Sequence, residues 1–339
     1  MKKNHGYKLA VIGGDARQLI AASALKAAGY EVMLYGFSEK NTNDDMSDTT
    51  ADRGPVVDSL CCSSSSVRPH ELLHNLADGT VCDCGVVCAS AAEALYKCDA
   101  VILPLPVSGD GVHISMPLAP NCRLTFIELC AMMTENGVKL LCGGKLPQGL
   151  SSLCGIRGIT LFDYYDSDEF SIANAVPTAE GAIEIAMHET PMTLDGSTAL
   201  VIGYGRIGKV LARLLASLGV KVTASARKAA DLAWIRASGY TAVETGKLSG
   251  ILDERKFNII FNTVPRMVLG EEELEIIGKG TLIMDLASKP GGVDIKAADK
   301  MGMSVIWALS LPGKVAPVTS GRIIADTILG YLEKFAEGE

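Results

Sequence analysis

At 339 residues the chain is long enough for two domains of ordinary size, and a hydrophobic content of 48% supplies a core for each. A net charge of −8 argues against non-specific nucleic-acid binding and requires any anionic ligand to be met by a local basic pocket. No run reaches membrane-spanning length, the apolar run after the basic Met1–His5 stops at Gly13, and the ten cysteines then read as reduced thiols in a cytosol.

Residues 7–37 read as a β-α-β unit: a strand over Lys8–Ile12, a turn over Gly13–Gln18, a helix from Leu19 closed by Gly29, and a strand over Glu31–Tyr35. The turn lacks the third glycine of a dinucleotide fingerprint and carries Asp15, which would repel a pyrophosphate. It reads as a related fold with another duty, and Asp15, Arg17 and Gln18 would project from a strand's carboxyl end, where open α/β sheets hold ligands. Asp15 equally fits a helix cap. Asn41–Asp58 is polar and turn-rich, and Cys61 to Ser66 reads as loop. Cys82, Cys84 and Cys88 lack the paired spacing of a zinc site, and the four-residue interval of His70 and His74 does not make one either, so no metal is expected. Ala100–Leu103 is a buried strand stopped by Pro104 and Pro106, and Val107–Gly111, with Ser108 and Gly109, is a candidate ligand loop. Strands over Lys139–Cys142 and Gly158–Phe162 follow, with Lys145 in the loop between them. Residues 1–174 therefore read as a flavodoxin-like, doubly wound substrate domain.

Pro177 and Thr178 mark the start of a joining helix that runs to about His188. Its expected buried face is Ala179, Ile183, Ala186 and Met187, and Glu180, Glu184 and His188 share another face, with Glu180 the better proton-handling candidate. Thr198–Ile202 is a strand and Lys209–Leu218 a helix with Val210, Leu211, Leu214, Leu215 and Leu218 inward. Between them, Gly203-Tyr204-Gly205-Arg206-Ile207-Gly208 has the dinucleotide spacing. The three glycines would serve the tight turn, the approach of a pyrophosphate and close helix–strand packing. The next strand, Val220–Ala224, is followed by Arg227 and Lys228 where an NAD site usually has an acid, which favours NADP, with NAD possible. Strands over Asn258–Val264 and Thr281–Leu286 lead into Asn262-Thr263-Val264-Pro265 and Asp285-Leu286-Ala287-Ser288-Lys289-Pro290-Gly291-Gly292, both expected at the cofactor's ribose and nicotinamide. Ser304–Leu309 is the last strand. Residues 175–311 thus read as a Rossmann NAD(P)-binding domain, the second of two doubly wound parallel-sheet domains in an α/β chain. Residues 312–339, with an amphipathic helix over Ile323–Phe335, are expected to pack back on the first domain.

These segments, with Ile102-Leu103-Pro104, Pro177-Thr178-Ala179-Glu180-Gly181 and Leu311-Pro312-Gly313-Lys314-Val315-Ala316-Pro317, resemble the A subunits of bacterial dipicolinate synthases across almost the whole chain; residues 40–98 depart from the pattern. The resemblance implies a cytoplasmic enzyme of the mother cell of a sporulating bacterium. It would convert the lysine-pathway intermediate 4-hydroxy-tetrahydrodipicolinate to pyridine-2,6-dicarboxylate with NAD(P)+, beside a flavoprotein-like B subunit and as a homo-oligomer. That chemistry needs cations for two carboxylates and a proton acceptor. Arg17, Lys145 and Lys289 are the candidate cations, Asp15 and Glu180 the candidate proton-handling groups, and Gln18, Ser108 and Gly109 further substrate contacts, with the substrate expected between the domains. D-2-hydroxyacid dehydrogenases resemble the chain in fingerprint and plan, but they use a late histidine, and His5, His70, His74, His113 and His188 all lie earlier. A non-catalytic nucleotide-sensing subunit is the alternative from another class.

Overall fold

The computed structural model describes residues 6–37 and 84–337. The polar stretch from Asn41, the His70/His74 pair and Cys82 lie outside the described residues. Contacts divide the chain into one unit that runs to Asp166 and resumes at Ile324, and a second over Ser167–Ile323.

The first unit is a six-stranded parallel sheet: β1 (Lys8–Ile12), β2 (Glu31–Tyr35), β3 (Val86–Val87), β4 (Ala100–Ile102), β5 (Leu140–Gly143) and β6 (Thr160–Asp163), in the spatial order β3-β2-β1-β4-β5-β6. Its central strands are apolar runs because a parallel sheet is covered on both faces; in β4 and β5 every residue is buried. Helix Ala16–Ala27 follows β1 and ends before Gly29, whose φ of +99° takes the chain out of the helix. Helix Phe126–Glu135 opens with a capping box between Thr125 and Glu128. The unit is completed by the later part of helix Pro317–Glu337, where Ile324, Ala325, Ile328 and Leu332 are buried at helical spacing. On it, Tyr331 stacks on Phe162 of β6, with ring centroids 3.7 Å apart and planes 3° from parallel. Tyr331→Ala should lower the urea midpoint of this unit, with a loss of unfolding free energy of at least the ring-pair contribution of about 0.5–1.5 kcal/mol. A midpoint equal to that of the parent chain would mean that the stack contributes nothing.

The second unit repeats the plan with β7 (Thr198–Ile202), β8 (Lys221–Ala226), β9 (Thr241–Glu244), β10 (Ile259–Asn262), β11 (Leu282–Asp285) and β12 (Val305–Trp307), all parallel, in the order β12-β11-β10-β7-β8-β9. The joining helix spans Ala175–Glu189, two residues earlier than Pro177 suggested, because proline in a first turn gives up an N–H that has no partner there anyway. Its buried face is Ala179, Ala182, Ile183 and Ala186, while Met187 is 50% exposed. Helix Arg206–Ser217 buries Gly208, Leu211, Ala212 and Leu215, with Val210 and Leu214 partly buried against the same core, while Leu218, its C-cap, is exposed. Its Gly208 lies so close to β7 that the residues in line with it face the sheet.

Cys84 is disulfide-bonded, unlike the reduced thiol expected from the sequence; Cys88, Cys98, Cys122, Cys130, Cys142 and Cys154 are free. Among the described residues no group of three or more His, Cys, Asp or Glu is placed to hold a metal, and no helix is long and apolar enough to cross a membrane.

Candidate functional site

Each sheet reverses its strand order once, between β1 and β4 in the first unit and between β7 and β10 in the second. Loops leaving the carboxyl ends of such neighbours diverge and leave a crevice, the usual ligand position in open α/β sheets. The two crevices are built very differently.

In the second unit the loop after β7 is open. Gly203 has φ +95°, its N–H donates to the Ser225 carbonyl (3.1 Å), and a side chain there would strike Thr263 and Val264. A Cβ on Gly208 would overlap the Gly203 carbonyl oxygen. Gly205 differs: it caps helix Arg206–Ser217 without any side-chain cap, and nothing lies within 4 Å of where its Cβ would stand. The first N–H groups of a twelve-residue helix are thus left to an outside acceptor, and glycine keeps the approach clear. The residues present fit the pyrophosphate of a dinucleotide. Tyr204 turns its ring away, its hydroxyl 3.4 Å from Ser238 Oγ and Lys209 over its face, so it offers the turn only backbone. Arg206 pairs with Asp168 at 2.8 Å, and Ile207 packs against the core. Arg227 and Lys228, after β8, are exposed and have no ion-pair partner among the described residues.

The loops after β10 and β11 brace each other. Asn262 Nδ2 donates to Asp285 Oδ1 (2.8 Å) and to the Val264 carbonyl (3.0 Å), and its Oδ1 accepts the Val264 N–H. Asp285, 1% exposed, also accepts the N–H groups of Ala287 and Gly292. Both side chains, expected at the cofactor, are consumed in holding the loops, because a buried amide and carboxylate must be paired. Leu286 and Ala287 are buried as well, so Thr263, Val264, Pro265, Ser288 and Lys289 are what these loops present.

In the first unit the loop after β1 is filled. The Gly14 N–H donates to the Ser115 carbonyl (2.9 Å), and a Cβ on Gly13 would press on the same oxygen. Asp15 caps helix Ala16–Ala27 through the Arg17 N–H (3.0 Å), and both its oxygens accept from the Arg17 guanidinium, Nε at 2.9 Å and Nη2 at 2.7 Å. Arg17 Nη2 also reaches the Leu105 carbonyl at 2.5 Å. The guanidinium edge expected to grip a substrate carboxylate is therefore turned to Asp15, and the Asp15 lone pairs expected to accept a proton are taken. Gln18 is 1% exposed and donates to the Leu103 carbonyl, with no partner for its Oε1 among the described residues. It braces β4 and does not line a surface.

The loop after β4 holds an arrangement that is not among the sequence expectations. Asp110 Oδ2 lies 2.7 Å from His113 Nδ1, while Oδ1 accepts the N–H groups of Val112 and His113, each at 2.8 Å. Ser108 Oγ is 3.1 Å from Asp110 Oδ1 and accepts the Gly111 N–H, so its hydroxyl ties the loop together; Gly109 is exposed beside it. The His113 and Val112 N–H groups and the His113 ring hold Asp110 far below the usual carboxylate range. The only signal in the sequence is the Asp-x-x-His spacing after a strand. Lys145 is exposed in the left-handed region (φ +63°), its N–H held by Asp163, and Glu180 is exposed on its helix.

Aligned end to end, the chain is 30% identical over 335 residues to the A subunit of dipicolinate synthase from Bacillus subtilis (strain 168), covering 98% of each sequence. It belongs to the family of dipicolinate synthase A subunits. The model of the family's N-terminal domain matches residues 8–65, and that of the NAD-binding domain of D-isomer-specific 2-hydroxyacid dehydrogenases matches residues 177–288. Crystal structures of the A subunits from Bacillus halodurans (27% identity, TM-score 0.78, 97% of this chain and 98% of that one) and Bacillus subtilis (28%, 0.78, 98% of both) share the fold. The second unit is thus an NAD-binding domain of the dehydrogenase type, which supports a nicotinamide cofactor.

Proposed function

We propose that the chain is the dehydrogenase subunit of a dipicolinate synthase. It takes 4-hydroxy-tetrahydrodipicolinate through loss of water and oxidation to pyridine-2,6-dicarboxylate, in the cytoplasm of a sporulating mother cell, as a homo-oligomer beside a flavoprotein-like B subunit. The observation that carries this is the end-to-end match to a dipicolinate synthase relative, supported by the open glycine turn. The backbone from Gly203 to Gly208 holds the pyrophosphate, and the loops at Thr263 and Ser288 shape the ribose and nicotinamide site. When bound, the nicotinamide supplies the two-electron oxidant. The first unit carries the substrate, with Lys145, exposed and without an ion-pair partner among the described residues, as a cation free for a carboxylate; Lys289, equally exposed and unpaired among the described residues, belongs to the second unit. The test is turnover by the purified chain with and without its B subunit, with substrate generated in place and pyridine-2,6-dicarboxylate identified by chromatography. Cofactor binding without product under both conditions would leave a nucleotide-sensing subunit in its place.

Arg227 and Lys228 support NADP as the preferred cofactor. Loss of a charge-assisted contact to a 2′-phosphate costs about 1.5–3 kcal/mol. Arg227→Ala should therefore weaken NADPH roughly 10- to 100-fold and leave NADH nearly unchanged, as read by fluorescence titration. Superimposable curves for the two cofactors on the parent chain would refute the preference.

A further inference from the structure

We infer that His113 takes the proton released when the ring is oxidised, with Asp110 as its positioning residue; this rests on the dipicolinate reading and adds the proton acceptor to it. The first argument is position. The β1–β4 reversal is the place where open α/β sheets hold ligands, and β4's loop lies over the turn after β1 there. Ser115 of that loop accepts the Gly14 N–H, and the Ser115 N–H returns to the Val107 carbonyl, so the segment carrying His113 is fastened over the turn that follows β1. His113 itself is bridged to Thr125, at the start of helix Phe126–Glu135.

The second argument is chemical form. A general base needs an available lone pair and a fixed orientation. Asp110 is held ionised by three hydrogen bonds and faces Nδ1, so the ring carries its hydrogen at Nδ1 and leaves Nε2 as the acceptor. The side chain is 38% exposed, enough for a substrate to reach it. The charged groups facing the ring are Asp110 and Glu128, and Glu128 is itself held by the Thr125 N–H and hydroxyl, both at 2.8 Å.

The third argument is elimination among the groups of the first unit, to which Glu180 does not belong. Asp15 is taken by Arg17. Burial pushes the Tyr164 hydroxyl and the Cys142 thiol far up, and neither meets solvent. His188, also outside that unit, points outward from its helix and, among the described residues, pairs only with Glu189.

The step balances. Forming the aromatic ring removes two hydrogens from the dihydro ring. One would leave as hydride to the oxidised nicotinamide when it is bound, and the other leaves a neighbouring ring carbon as a proton. The C–H pair of that carbon becomes the last ring π bond, and the new bond is N–H at His113 Nε2.

The experiment uses the full chain with its B subunit. His113→Ala should lose roughly 10²- to 10⁴-fold in kcat, retain NADPH affinity and melting temperature, and regain part of the rate with added imidazole. Asp110→Asn should lower kcat while leaving KM and NADPH affinity unchanged, because the ring loses the carboxylate that fixes its orientation. Should His113→Ala not fold, His113→Asn, which can still hydrogen-bond Asp110, decides the matter. A folded variant at native kcat/KM, or a loss that imidazole does not relieve, overturns the assignment. A parent chain that makes no pyridine dicarboxylate overturns the functional reading first, and this assignment with it.

Discussion

Gly205→Val should keep its fold and lose its dinucleotide. The position has ordinary extended backbone (φ −82°, ψ −158°) and open space beyond the Cα, so a side chain meets no protein atom there. It would stand in front of the uncapped N–H groups of helix Arg206–Ser217, where a phosphate must approach. Losing several charge-assisted hydrogen bonds at once weakens NADPH by on the order of 100-fold or more. Gly208→Val, three residues on, should fail in the opposite way. Its Cβ would overlap the Gly203 carbonyl, which is backbone and cannot step aside, so the helix must leave β7. Overpacking of that kind costs about 1–3 kcal/mol or more. Circular dichroism and cofactor titration on both variants separate the two effects. Native NADPH affinity in a folded Gly205→Val chain would move the phosphate site elsewhere.

Arg17→Ala should melt early, whatever it does to turnover. The substitution removes three hydrogen bonds to Asp15 and one to the Leu105 carbonyl, which tie the turn after β1 to the loop after β4. Asp15 retains partial exposure and Arg17 does not. The cost then lies below that of breaking a fully buried pair, at about 2–3 kcal/mol. At about 2–4 °C per kcal/mol for a unit of this size, the midpoint falls by roughly 4–12 °C. Kinetics run below the melt decide the rest. A brace alone leaves kcat/KM native, whereas a carboxylate contact through the remaining Nη1 hydrogens raises the KM for substrate and leaves cofactor affinity unchanged. An unchanged melting temperature would contradict the bracing role.

Strands β1, β2 and β7 have the limits that the hydrophobic pattern sets, because a parallel strand buried on both faces is an uninterrupted apolar run between turn residues. The edge strands Val86–Val87 and Thr241–Glu244 escape the pattern, since partly exposed edges carry no such run. Helix Arg206–Ser217 keeps the expected Leu211 and Leu215 inward, with Val210 and Leu214 partly buried, but leaves Leu218 exposed: the helix has more aliphatic residues than one lying on a sheet can bury, and the close approach at Gly208 chooses among them. Among the site residues, the glycine spacing is legible because backbone geometry fixes residue type there. The roles of Asn262, Asp285 and Gln18 are not, because the same side chain serves a ligand or its own loop depending on neighbours far away in sequence. The Asp110–His113 contact depends on a loop closing back on itself, which periodicity does not report.

The stack of Tyr331 on Phe162 bears on how the chain is made. A ribosome delivers β1 to β6 first, then everything that builds the second unit, and only afterwards Ile324, Ile328 and Tyr331. The nucleotide unit can therefore be finished at a time when the earlier-made sheet still lacks the helix that covers Phe162. The half of the protein that is translated first is the last to close, and during that interval its uncovered apolar face is the surface for a chaperone to shield.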